Sequence, residues 1–277
     1  MPVRKMKTIA ILILLFANLA ILCTLVPNRI QQQREDTALR TSLSQLYREQ
    51  DILLDPEIIP DTVTLYALRL EEDPAWSLQA ATALLGQQVI VQDDSTRYLS
   101  TYQSQNGMCT ISRSGTFQAQ LSNQSSASDV TKAAGKTLKA MGFPCEPPKE
   151  AQRLRAGVYT VQAGQTVLGT PVFSEGLTLT YSNGQLTEVS GCFYPGSQNP
   201  SRVSEESSIT AADALVAFLS ARYELGWVGQ SILSLSQGYL QADVASASAV
   251  QLTPVWKLET DTGIFLINGL SGAVTPL

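Results

Sequence analysis

Residues 8–26 read TIAILILLFANLAILCTLV, an uncharged run that follows Lys7 and ends before Pro27. As an α-helix these residues rise about 1.5 Å each and cover roughly 28 Å, close to the thickness of a bilayer's hydrocarbon core. The rest of the chain has no second run of this kind. The sequence therefore predicts a single N-terminal transmembrane helix over residues 8–26.

A cleaved signal peptide is the alternative interpretation of this run. Cleavage favours small residues at positions −3 and −1, and the best pairs here are Asn18 with Ala20 and Ala20 with Leu22. The run is also longer than the about 7–15 apolar residues of an ordinary signal peptide. We therefore expect an uncleaved anchor.

The charges on either side of the run indicate its orientation. Arg4, Lys5 and Lys7 precede it, and a short basic N-terminus is the part most easily kept in the cytoplasm. We expect a cell-membrane protein with residues 1–7 in the cytoplasm and the C-terminal domain extracellular. All 24 acidic residues and 16 of the 19 basic residues follow residue 27, which gives this outer part a formal charge of −8. Such a charge argues against binding to nucleic acid.

The order of helix and strand signals predicts the organisation of the outer part. Residues 27–59 are interpreted as a stalk or linker. Three helices are predicted from capping residues and terminal glycines, at about 73–86, 126–142 and 210–226. Alternating segments follow each helix, and Asn106-Gly107 and Asn183-Gly184 are typical of hairpin turns.

This recurrence predicts an α+β fold for the extracytoplasmic domain. Two helix-plus-antiparallel-sheet units are expected, at about 126–193 and 208–275, with residues 60–122 as a possible third copy. The predicted boundaries are 60–195 for the first α+β part and 208–277 for the C-terminal unit. The Ser-, Asn-, Gly- and Pro-rich residues 196–208 are interpreted as the linker between them.

The cysteines leave the redox state open. Cys23 lies in the predicted span, while Cys109, Cys145 and Cys192 lie outside it. Three outer cysteines permit one disulfide with one remaining thiol, or three partly buried thiols. The chain has no histidine and no C-x-x-C pair, so we expect no zinc site, and nothing indicates a cofactor.

Two short motifs have the letters of catalytic sites but are better explained by local structure. Asp261-Thr262-Gly263 resembles an aspartic-protease motif, yet it occurs once and is typical of a hairpin turn. Gly135-Lys136-Thr137 has the end of a P-loop but neither its first glycine nor a preceding strand. Because histidine is also absent, Ser-His-Asp catalysis is excluded, and we expect no enzymatic activity.

Asn18 is the residue of the span with the clearest functional signal. An amide in mid-membrane tends to bond to a neighbouring helix, a contact that contributes roughly 0.6–2 kcal/mol. Ile11, Leu15 and Leu22 lie on the same helical face as Asn18, and these four residues form the predicted membrane contact with a partner. The alternative is an asparagine that faces lipid.

Two parts of the sequence resemble a known family. Lys7-Thr8-Ile9 enters the apolar run, which contains Asn18-Leu19. The C-terminal part has a helix at 209–223 followed by Gly238-Tyr239, Pro254-Val255-Trp256-Lys257, Phe265-Leu266-Ile267-Asn268 and Ser271-Gly272. The chain resembles the YycH/YycI regulators of the WalK sensor kinase of Gram-positive bacteria, YycI more than YycH. Its C-terminal part is also similar to the PepSY superfamily.

The resemblance implies a non-catalytic regulator in a two-component signal transduction system. It implies two partners, a WalK-like sensor histidine kinase and a YycH-like regulatory protein, bound through the membrane helix and the outer domain. A PepSY-like extracytoplasmic binding module, which restrains a peptidase or binds a cell-wall component, is the second hypothesis. An exposed apolar patch or a deep groove on the outer sheet would favour that second hypothesis.

Overall fold

The computed structural model describes residues 35–71, 73–94, 98–122, 124–174, 176–194, 199–242 and 249–277. Within these ranges the protein is mostly β, with sixteen strands and four short α-helices. The α+β class predicted from the sequence is therefore wrong. The three predicted outer helices are present, but each is only 11 or 12 residues long and covers part of one sheet face.

The predicted anchor at 8–26 and residues 1–7, which were expected to lie in the cytoplasm, are outside the described residues. Within the described ranges, none of the helices has both the length and the apolar character needed to cross a membrane.

The elements follow one another in a β-rich order. The helices are α1 (35–48), α2 (Pro74–Leu85), α3 (Val130–Ala140) and α4 (Ala211–Ala221), with a 3-10 turn at Pro56–Ile58. The strands before α3 are β1 (Tyr66–Glu71), β2 (Ile90–Asp94), β3 (Leu99–Ser104), β4 (Gly107–Ser112) and β5 (Thr116–Leu121). Those between α3 and α4 are β6 (Gln152–Arg155), β7 (Val158–Ala163), β8 (Thr166–Val167), β9 (Thr170–Pro171), β10 (Leu177–Ser182), β11 (Gln185–Cys192) and β12 (Ser201–Ser207). The last four are β13 (Ile232–Gln241), β14 (Ala249–Thr260), β15 (Ile264–Asn268) and β16 (Val274–Pro276).

Eight strands form one antiparallel sheet in the order β2-β3-β4-β5-β11-β10-β7-β6. The pairing of β5 with β11 joins the strands that follow α2 to those that follow α3. Helices α2 and α3 contact each other and cover one face of the sheet. The helix-plus-sheet segments expected at 60–122 and 126–193 therefore share a single sheet and a single core.

Local sequence signals explain the ends of these elements. Asp73 accepts hydrogen bonds from the Ala75 and Trp76 N–H groups at the start of α2. At the Asn183-Gly184 turn both residues have positive φ, +49° and +79°, as a type I′ hairpin turn requires. This turn sets the register of β10 against β11.

The six-stranded sheet is assembled from both ends of the described chain. Its path is β12-β1-β14-β15-β16, and β13 pairs with the other edge of β14. Strand β12 lies within the segment expected to be a linker, and it pairs antiparallel with β1. All seven β12 residues are exposed, so β12 lacks the alternation of buried and exposed side chains that is typical of a strand. Its extended conformation is explained by its pairing with the edge of β1.

Helices α1 and α4 pack on the six-stranded sheet around a cluster that includes Trp256, Phe265 and Phe218. A third, smaller cluster connects the two sheets. In it, Val167 and Val172 of the β8–β9 region contact residues of the six-stranded sheet such as Leu252. Strands β8 and β9 form a separate two-stranded sheet. The Phe173 N–H, just after β9, also donates to the Tyr239 carbonyl at 2.7 Å, so this region is bonded to β13 of the six-stranded sheet.

Candidate functional site

The four residues predicted to contact a membrane partner are Ile11, Leu15, Asn18 and Leu22. All four lie outside the described residues, and their contact remains a prediction. The part of the structure nearest to them in the sequence is α1, which begins its described course at residue 35. This helix and its surroundings form the candidate site.

Helix α1 is built into the core of the six-stranded sheet. Leu43 is buried and Tyr47 is fully buried. The Tyr47 hydroxyl donates a hydrogen bond to the Leu215 carbonyl of α4, at 2.7 Å. Burial raises the pKa of Tyr47, and the nearby Arg222 opposes this rise. The segment interpreted as a stalk therefore packs as a core helix in its described part.

The chain after α1 stays attached to the same sheet. The Leu53 N–H donates to the Gln230 carbonyl, and the Ile232 N–H donates to the Leu53 carbonyl, at 2.8 and 3.0 Å. The Ser44 hydroxyl donates to the Leu54 carbonyl at 2.6 Å. Residues 35–59 thus form one continuous attachment between the predicted anchor and the C-terminal part of the chain.

A groove of about 330 Å³ opens where α1 begins its described course. The side chains of Leu39 and Leu43 and residues 59–62 line it together with the first turn of α4, at residues 210–212. Arg40 forms an ion pair with Asp61 across it. The groove therefore has an apolar interior and a charged rim.

Hydrogen bonds fix the far wall of this groove. The Ala211 N–H donates to the Thr62 hydroxyl at 3.1 Å. Thr210 and Asp213 form a capping box, in which the Thr210 hydroxyl accepts from the Asp213 N–H and the Asp213 carboxylate accepts from the Thr210 N–H. Both contacts satisfy N–H groups that the first turn of a helix leaves without an intrahelical acceptor, so this wall is locally ordered.

The two short motifs that match parts of catalytic sequence patterns lie in ordinary secondary structure. Asp261-Thr262-Gly263 forms the turn between β14 and β15, and the Asp261 carboxylate accepts a hydrogen bond from the Gln230 N–H at 2.8 Å. Gly135-Lys136-Thr137 lies within α3. Among the described residues, no group of three or more Asp, Glu or Cys side chains is placed to hold a metal ion.

The structure joins none of the described cysteines in a disulfide. Cys109 is fully buried in the core of the eight-stranded sheet, and burial raises the pKa of its thiol to about 12. Cys145 is half-buried, and burial together with Glu146 raises its pKa. A raised pKa disfavours the thiolate, so Cys109 and Cys145 are poor nucleophiles.

The face of the eight-stranded sheet opposite α2 and α3 is polar along its middle row. Thr101, Thr110, Gln118, Ser190 and Thr178 lie side by side across five successive strands. These hydroxyl and amide groups do not form the apolar patch that a binding module on this sheet was expected to show.

Comparison with known proteins shows the fold and nothing finer. No family model and no curated protein matches this chain. The chain is similar to the crystal structure of an uncharacterized protein from Eubacterium rectale ATCC 33656, with 10% sequence identity and a TM-score of 0.50. The similarity covers 79% of this chain and 88% of that one. At this identity the likeness establishes a shared fold only.

Sequence reasoning missed the groove and the core role of α1. Leu39, Leu43, Leu46 and Tyr47 recur at helical spacing in the sequence, and two of them, Leu43 and Tyr47, are buried in the structure. The partner of this buried pair lies far along the chain, since Tyr47 and Leu215 are 168 residues apart. A helix whose buried side chains contact so distant a segment resembles a stalk in the sequence.

Proposed function

We propose that this chain is a membrane-anchored, non-catalytic regulator of a two-component sensor histidine kinase. It acts by association of its transmembrane helix and outer domain with the kinase and with a YycH-like partner regulator. The resemblance in the anchor and the C-terminal residues is the sequence basis of this proposal.

One structural observation supports this proposal. Helix α1 follows the predicted anchor within nine residues and is fixed to the six-stranded sheet by Tyr47, Leu43 and the Leu53 backbone. A helix packed in this way cannot rotate or slide without disturbing the core. In the proposed mechanism, a displacement of the outer domain therefore moves α1 with it, and α1 is the first described element after the predicted anchor.

Such a connection is what a regulator of this kind requires. A kinase with two conformational states responds to a neighbour that binds one state more tightly than the other. A coupling of about 1–3 kcal/mol changes the equilibrium roughly 5- to 150-fold. In this proposal, the outer domain supplies such a difference in binding free energy between the two kinase states because it belongs to the same chain as the anchor.

The test is photo-crosslinking from position 18 in native membranes, followed by mass spectrometry of the captured proteins. Capture of a histidine kinase or of a second single-span regulator is the expected result. Capture of lipid alone would contradict the role of Asn18. A variant with the photoreactive residue at position 16, which lies on the opposite face of the predicted helix, is the matched control.

A chimera separates regulation from outer-domain binding. Residues 1–30 are placed on an unrelated outer domain, and the phosphorylated fraction of the kinase's response regulator is measured in the native host. Partial regulation by the chimera supports action through the membrane helix. If the chimera and the complete chain bind the kinase equally but neither changes phosphorylation, the regulator hypothesis fails.

A further inference from the structure

Exposed apolar side chains lie beyond the groove along α1 and α4. Leu39 lines the groove, and Leu46 lies seven residues later on the same side of α1. On α4, Ala212 lines the groove, and Val216 lies four residues later on the same side. The exposed fractions are 50% for Leu39, 37% for Leu46 and 45% for Val216. These exposed fractions are large for apolar side chains. Leu39 and Leu46 also lie at a regular helical spacing along α1.

Helices α1 and α4 run side by side in the same direction. Leu43 and Ala211 share the groove, and Tyr47 bonds to Leu215 four residues further along α4. The groove and the exposed side chains of Leu39, Leu46 and Val216 together form a surface between the two helices, here called the channel, against which a third helix can pack. In helix-in-groove recognition the inserted helix contacts its site through apolar residues at i, i+3 or i+4, and i+7.

The rim of the groove is acidic at the end nearest the predicted anchor. Asp36 and Asp61 line it, and among the described residues that line the groove the one cation, Arg40, is paired with Asp61. The Asp61 side chain is nevertheless 91% exposed. An excess negative charge here favours an occupant with a lysine or arginine in its first turn.

The position of the groove limits which occupants can reach it. Eight residues, 27–34, lie between Val26, the end of the predicted span, and residue 35. The nine steps from Val26 to residue 35 can cover about 14 Å as a helix and no more than about 32 Å when fully extended. The groove therefore lies near the membrane surface, where the chain that continues another membrane helix is concentrated.

We propose that the channel between α1 and α4 binds the juxtamembrane helix of a membrane-tethered partner. This helix carries apolar residues against Leu39, Leu46 and Val216, and a basic residue against Asp36 and Asp61. The inference rests on the proposed function for the nature of the partner, the sensor kinase, and on the structure for the place of binding.

The experiment uses the complete chain in native membranes with a photoreactive residue at position 39, 46 or 78. Leu78 is the matched control because it is an exposed leucine, 44% accessible, on α2 of the other sheet. Positions 39 and 46 are expected to capture a peptide that directly follows a membrane span of the kinase, and position 78 is not. Capture of lipid only, of a second copy of this chain, or equal capture at position 78 overturns the proposal.

A charge substitution tests the same channel without a crosslinker inside it. Val216→Glu places a carboxylate in the apolar channel and is expected to reduce capture from position 39 about tenfold, because an unpaired charge is costly to bury. Leu78→Glu is the control and leaves capture unchanged. Unchanged capture in Val216→Glu overturns the proposal.

The two proposals fail in distinguishable ways. If position 18 captures the kinase and position 39 does not, the proposed function stands and the channel is not its docking site. If position 39 captures the juxtamembrane helix of a protein other than a kinase, the channel is a helix-binding site and the kinase assignment is wrong.

Discussion

The two sheets of this protein are assembled in different ways. The eight-stranded sheet uses residues 90–192 in one continuous stretch, and its two helices belong to the same part of the chain. The six-stranded sheet combines β1 and α1 from the beginning of the described chain with α4 and the last four strands. The first sheet is thus a local structure, whereas the second depends on contacts between distant segments.

This difference gives the two sheets different relations to helix α1. The predicted anchor precedes α1 in the sequence, and α1 packs on the six-stranded sheet rather than on the eight-stranded one. In the proposed function, the six-stranded sheet is therefore the part that carries the membrane connection. The eight-stranded sheet reaches it through the small cluster around Val167, Val172 and Leu252.

The largest expected effect is on the eight-stranded sheet. Phe193 is fully buried, and its ring lies 5.1, 5.5 and 5.4 Å from those of Trp76, Phe117 and Phe143. We expect Phe193→Ala to lower the free energy of unfolding by about 3–5 kcal/mol, because it leaves a cavity. Denaturant unfolding followed by Trp76 fluorescence measures this effect. Leu78→Ala, at an exposed position on α2, is the control.

The matching change in the six-stranded sheet is Tyr47→Ala. It removes a fully buried ring and its hydrogen bond to Leu215, and we expect a loss of about 3–4 kcal/mol. Fluorescence of Trp227 and Trp256 follows the unfolding of this sheet. Tyr47→Phe keeps the ring and should lose only about 1 kcal/mol. Equal stability of Tyr47→Ala and the unsubstituted protein would show that α1 is not part of this core.

A smaller effect is expected at the start of α4. Thr210→Ala removes the capping hydroxyl of the Thr210–Asp213 box and should lower the free energy of unfolding by about 1 kcal/mol. Thr210→Ser keeps the hydroxyl and serves as the control. If both variants lose the same stability, packing of the Thr210 methyl group rather than capping supports this end of α4.

The smallest effect concerns the exposed face of β14. Lys257 and Ser234 donate hydrogen bonds to Glu259 and hold the pKa of its carboxyl below the usual value. The Lys257 Nζ lies 2.5 Å from the Glu259 carboxylate. A group with a lowered folded pKa adds stability above its unfolded pKa and loses it as the pH falls through the folded pKa.

We therefore expect Glu259→Gln to lower the free energy of unfolding by at most about 1 kcal/mol near neutral pH, because the pair is partly exposed. The difference from the unsubstituted protein should shrink as the pH falls to about 3, below the ordinary glutamate pKa. Denaturant unfolding across this pH series measures it, with Glu205→Gln on β12 as the control. A difference that grows toward low pH would contradict the explanation.

The sequence predicted local structure well where short-range signals are strong. The helices α2, α3 and α4 were expected from their caps, and the β3–β4 and β10–β11 hairpins from Asn106-Gly107 and Asn183-Gly184. These signals involve residues within a few positions of one another. They do not report which segments pair across the whole chain.

The errors come from partners that are distant in sequence. Strand β12 was interpreted as part of a linker because residues 196–208 are rich in Ser, Asn, Gly and Pro, and it is a strand because it pairs with the edge of β1. The predicted fold class was wrong because the predicted helix-plus-sheet units were considered separately. Their sequences do not show that strands of different units, such as β5 and β11, pair in one sheet. The groove was missed because its two walls are separated by about 150 residues of chain.

The separation of Tyr47 and Leu215 in the sequence also affects the order in which parts of the protein fold during synthesis. At a synthesis rate of about 5–20 residues per second, the 168 residues between them take roughly 8–34 seconds to emerge. During that interval the segment of the eight-stranded sheet is already complete, and it can fold while α1 still lacks its partner. Helix α1 therefore reaches its final contacts only after α4 has been made, and its cluster is completed later still by residues of β13, β14 and β15. Until then the apolar side of α1 lacks the partners that bury it in the folded protein.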